Sequence, residues 1–80
     1  MNKATLQTWV RSALSSVPQT PKQITNYIQK QCPNETGISE KKVVIILSQL
    51  ESAGLCYSTT HIDLASNYSA ILYFTSKNKI

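Results

Sequence analysis

Two cysteines and one histidine are the side chains in this 80-residue chain best suited to hold a soft metal or act as activated nucleophiles. Cys32 and Cys56 lie 24 positions apart, far from the close pairing of zinc or redox motifs. With His61 they make three candidates, where a structural zinc site takes four ligands. Both cysteines are therefore expected to be reduced, partly buried apolar residues. The four carboxylates, Glu35, Glu40, Glu51 and Asp63, are too scattered to suggest a paired general acid and base. The two glycines, Gly37 and Gly54, build neither a phosphate loop nor a nucleophile elbow. A pH switch at His61 would need a partner carboxylate, and only Asp63 is near it in sequence. The expectation is a protein that is not an enzyme and uses no metal or cofactor.

What remains is charge and surface. Eight Lys and Arg against four Asp and Glu give a net charge of +4, which suits a polyanion partner and equally serves plain solubility. The pair Lys41-Lys42, just after Ser39-Glu40, is the densest cationic feature and a candidate phosphate contact, or else a solvated helix start. Charged residues make up only 15% of the chain, against about a quarter in an average domain. Neutral polar residues replace them: 29 of the 80 are Ser, Thr, Asn or Gln. With 41% hydrophobic residues this is not a disordered chain. The longest apolar runs, Val43 to Leu47 and Ala70 to Phe74, fall far short of the roughly 20 residues that cross a bilayer. Polar residues interrupt the N-terminus before an export signal could form, so a cytoplasmic location is expected, with no membrane contact. The length allows one domain, over 1–76, with a frayed tail over 77–80.

Hydrophobic spacing sets the expected elements. Leu6, Trp9, Val10, Ala13, Leu14 and Val17 recur at helical intervals, predicting a helix from Lys3 to Val17 that Pro18 ends. Trp9 is expected in the core rather than stacked on bases. Thr20, Pro21 and Gln23 form a capping box with proline at its favoured place, opening a second helix that runs to Cys32 before Pro33. Ile24, Ile28 and either Tyr27 or Gln31 make its stripe. Ser39 caps a third helix to about Ala53, where Gly54 supplies a left-handed stop. At about 100° per residue, Val43, Ile46, Leu47 and Leu50 share a face, and Ile45 points away from it. After Gly54 the period changes to two. Leu55 to Thr60 and Ala70 to Thr75 read as strands of an antiparallel hairpin, joined by a polar connection over 61–69 with Asn67 as its turn residue.

Three helices followed by a β-hairpin, together with Ser39-Glu40-Lys41-Lys42-Val43, the Leu47-Ser48-Gln49-Leu50 pair and Gly54-Leu55 entering a strand, resemble the winged helix-turn-helix superfamily of small bacterial and phage regulators. The resemblance spans roughly residues 3 to 75 and implies an α+β fold: three helices, then a two-stranded antiparallel wing. It also implies binding of double-stranded DNA by a transcriptional regulator, with the third helix in the major groove. The groove-facing set it implies is Ser39, Glu40, Lys41, Lys42, Val44, Ile45, Ser48 and Gln49. Lys41 and Lys42 would meet phosphate, Ser39 would offer its hydroxyl or helix-end amides, and Ser48 and Gln49 would meet base edges. The wing contributes His61, Asn67 and Tyr68.

Two features depart from that pattern. Ile45 and Val44 are apolar where readers of DNA carry polar residues, and 61–69 holds no Lys or Arg but does hold Asp63. The alternative is a protein-interaction module, an inhibitor or adaptor of phage or mobile-element origin, that uses the apolar outer face of the third helix. A homodimer through Val44 and Ile45 suits either reading; the competing expectation for that pair is burial under the wing or the N-terminal segment. Tyr57, Tyr68 and Tyr73 are expected to pack across strands, with Tyr68 best placed for an outside partner.

Overall fold

A computed structural model of the chain describes residues 2–75. Its order is α1 (Lys3–Ala13), α2 (Pro21–Gln31), α3 (Glu40–Ser52), β1 (Tyr57–Asp63) and β2 (Tyr68–Phe74), an α+β arrangement of three helices and a two-stranded antiparallel sheet. The layout is compatible with a winged helix. Helix starts follow side-chain capping. Asn2 accepts from the Thr5 amide, Ser39 accepts from the Lys42 amide, and Thr20 and Gln23 complete the expected reciprocal box. Each such cap is worth about 1 kcal/mol. Gly54 ends α3 with φ 76°, the left-handed geometry that a glycine adopts without steric cost.

The core lies between the three helices. Val10 of α1, Ile24 and Ile28 of α2, and Val43 and Leu47 of α3 are fully enclosed, with Leu6, Leu14, Ile46 and Leu50 around them. Trp9 packs against this cluster from its margin. The expected inward face of α3 is the observed one. On α2 neither Tyr27 nor Gln31 joins the stripe, since both are exposed. Thr25 is buried instead, and its hydroxyl donates to the Pro21 carbonyl at 2.8 Å, which removes the cost of burying it.

α1 is shorter than its hydrophobic period suggests. It stops at Ala13, and Val17 is 64% exposed rather than on the core face. The cause lies far along the chain. Residues 15–19 run beside β2: Gln19 and Tyr73 exchange both backbone hydrogen bonds, at 3.0 and 2.7 Å, and the Thr75 amide donates to the Ser15 carbonyl at 2.8 Å. The Gln19 side chain also donates to the Ala13 carbonyl, satisfying an orphan acceptor at the helix end.

The wing is longer than expected and its connection shorter. β1 pairs with β2 from Tyr57 opposite Phe74 to Asp63 opposite Tyr68. His61 and Tyr68 are therefore strand residues, not loop residues, and only 64–67 turn. Asn67 takes φ 56° there, as expected of an asparagine in a tight turn, and Asp63 accepts from the Ala65 amide. The stretch 61–69, read as a polar connection, misled the boundary because an exposed two-stranded ribbon needs no buried face. All seven residues of β1 are exposed. The hairpin joins the body through Cys56 and Tyr73, both buried, and through the Gln19 bridge. The expected tail over 77–80, and Ser76 before it, lie outside the described residues.

Candidate functional site

α3 turns one face to solvent between two grooves. Lys41, Ile45, Ser48 and Gln49 are exposed on it, with Ile45 at 48%. Val44 is half-buried and leans toward the wing. The groove on that flank, about 490 Å³, is lined by Lys22 of α2, Glu40 and Val44 of α3, and Thr60, Tyr68 and Ile71 of the wing. The opposite flank holds a smaller groove of about 280 Å³ between α1 and α3, formed by Lys3, Leu6, Lys42, Ile45 and Ile46. The Lys42 ammonium bends over the α2–α3 turn, where a β-carbon added to Gly37 would sit 3.4 Å from it.

Four lysines thus surround the N-terminal half of α3, and each comes from the first turn of a helix: Lys3 of α1, Lys22 of α2, and Lys41 and Lys42 of α3. The amide end of a helix carries partial positive charge, so carboxylates stabilise it and lysines do not. Yet α1 and α2 have no acidic residue in their first turns, and α3 has only Glu40. Positive charge is placed on this surface against local helix preference. Reading the chain for periodicity singled out Lys41 and Lys42 but missed Lys3 and Lys22. The available signal was the absence of acid from helix starts.

The other predicted residues are dispersed. Ser39 is consumed as a cap, its hydroxyl accepting at 3.3 Å from the Lys42 amide. His61, Asn67 and Tyr68 are exposed on the wing. The hairpin from 57 to 75 has no Lys or Arg, so it brings no cation to the surface. The Ser58 hydroxyl donates to Glu51 at 2.6 Å, tying the base of the wing to the end of α3. Among the described residues, no group of three or more His, Cys, Asp and Glu comes together to hold a metal, and no helix is long and apolar enough to cross a membrane.

Cys56 and Tyr73 sit at the root of the wing. Burial pushes the Cys56 thiol up from its ordinary 9.0, and Glu51 adds to the shift. Burial likewise raises Tyr73, with smaller contributions from Glu51 and Cys56. The thiol donates to the Leu47 carbonyl at 3.7 Å, a bond that ionisation removes. The folded chain holds both protons to higher pH than the unfolded chain. Their contribution to stability is full below the ordinary thiol range and declines as pH rises through the raised values. Denaturant midpoints are expected to fall above about pH 9, and a thiol reagent at neutral pH should modify half-buried Cys32 while sparing Cys56 until the chain unfolds. Equal labelling of both thiols in the folded protein would contradict this.

No protein-family model matches the chain, and no curated protein matches it.

Proposed function

We propose that this is a winged helix-turn-helix protein that binds double-stranded DNA through α3, as a small transcriptional regulator. The observation that carries the reading is the gathering of Lys3, Lys22, Lys41 and Lys42 around the exposed face of α3. An α-helix about 10–12 Å across suits the roughly 12 Å width of a major groove, and the 13 residues of α3 give it length to lie along that groove. Lysines on both flanks would then meet phosphates on either side of that groove, aided by the three helix ends. Ser48 and Gln49 would reach base edges, and Ile45 a thymine methyl. The wing, without cations, would add contact but little electrostatic affinity.

Four phosphate contacts imply a slope of about −3.6 in log affinity against log salt, so raising salt from about 50 to 200 mM should weaken binding about a hundredfold. Fluorescence anisotropy on labelled duplexes measures this. Absence of binding to any duplex at low salt would overturn the proposal.

A second reading, a protein-interaction module, is favoured by one specific feature: Ile45 is half exposed and shares an apolar groove with Leu6 and Ile46. Ile45→Asp should leave unfolding within about 0.5 kcal/mol of wild type, as for other surface substitutions. It should also abolish any complex formed through this groove, whereas Lys41→Ala should not. A complex that survives Ile45→Asp would remove this reading.

A further inference from the structure

The wing has an open edge, and its hydrogen-bonding groups can be assigned. Tyr73 sends both its N–H and its C=O to Gln19. Its partner across the sheet, Ser58, must therefore point both of its own backbone groups away from β2. Alternation then turns the N–H and C=O of Ser58, Thr60 and Ile62 outward, while Tyr57, Thr59, His61 and Asp63 bond to β2. Among the described residues no strand lies on that outer side of β1. The edge is seven residues long, wholly exposed, and free of lysine, proline and bulge, the devices that usually protect such an edge.

We infer that β1 pairs antiparallel with β1 of a second copy of this chain, joining two wings into a four-stranded sheet. This does not depend on the DNA-binding reading. One register uses all three outward residues: Thr60 opposite Thr60 on a twofold axis, with Ser58 opposite Ile62 on each side. That closes about six backbone hydrogen bonds. Charge favours a second copy in this orientation. The only charged residue of the edge, Asp63, then faces Tyr57, whose phenol can donate to it, while parallel pairing would set Asp63 against Asp63. The paired strands carry no Lys or Arg, so two cationic molecules meet along a strand free of cations. Apolar exposure is accounted for as well. Leu64 at the wing tip, 89% exposed, falls opposite Cys56 at the base of the other wing, next to Leu55, which is 46% exposed. The ribbon is anchored at its base through Tyr73 and Gln19, and doubling it adds strands to its exposed outer part.

The twofold axis lies normal to the sheet, so the wing faces bearing Thr60 and Ile71, which border α3, remain on one side. Both α3 helices are then presented together.

Sedimentation equilibrium without DNA, at protein concentrations up to about 1 mM, the weak end of specific association, tests this. The wild type should form a dimer. Thr60→Lys and Thr60→Glu should each weaken it about tenfold, because like charges then face each other on the axis. An equimolar mixture of the two should restore a dimer, and Ile45→Asp should leave dimerisation unchanged. Thr60 is exposed, so both variants should fold, which circular dichroism checks. A wild type that stays monomeric, a dimer indifferent to Thr60→Lys, or a mixture that fails to pair would each overturn the inference. None of these outcomes concerns DNA, so failure here is distinct from failure of the proposed function.

Discussion

Replacing Lys41 and Lys42 together by alanine is expected to weaken binding to all duplexes alike and to make the salt slope shallower by about 2. Adding Lys3→Ala and Lys22→Ala should bring the slope close to zero and remove measurable binding at physiological salt. Because these four lysines stand in the first turns of helices, where positive charge opposes the helix dipole, the same substitutions should not destabilise the fold. Each should raise stability slightly, by a few tenths of a kcal/mol. Anisotropy titrations at several salt concentrations, together with thermal melts, read both effects. Affinity falling while the melting temperature holds or rises is the signature of a surface that gives up stability for binding. An unchanged salt slope in the four-lysine variant would sink the assignment of this face.

Leu47→Ala is expected to be among the most damaging single substitutions to the fold. Leu47 is fully buried between the helices, and its carbonyl receives the Cys56 thiol at the root of the wing. Truncating a buried leucine costs about 3 kcal/mol, from lost transfer energy and the cavity left behind. A small domain holds about 5–15 kcal/mol in total. The melting temperature should drop by about 12–24 °C, at 4–8 °C per kcal/mol for a chain of this size. A loss under about 1 kcal/mol would mean that α3 is not seated by this face, and the outward direction of Lys41 and Ile45 would then lose its basis.

Much of the helical part was legible because its signals are local. Thr20, Pro21 and Gln23 announce α2 within four residues, and Ser39 and Gly54 bracket α3. The spacing of Val43, Ile46, Leu47 and Leu50 orients α3, and so sets Ile45 outward. Asn67 marks the turn of the wing because few other residues tolerate positive φ. The wing boundaries were less legible. Residues 57–63 are uniformly exposed, so no alternation of buried and exposed positions separates strand from loop.

The sequence by itself determined where the helices begin, which face of α3 is buried and where the hairpin reverses, since each depends on groups a few residues apart. Only the tertiary structure decided that α1 ends at Ala13, because the hydrogen bonds that hold 15–19 beside β2 come from Tyr73 and Thr75, more than fifty residues away. Tertiary packing likewise brings Lys3 and Lys22 beside Lys42 and Glu40, and it leaves Ser58, Thr60 and Ile62 facing outward along an open edge. Neither arrangement can be read from neighbours in the chain, because both arise from how the helices cross and from which side of β2 the 15–19 segment occupies.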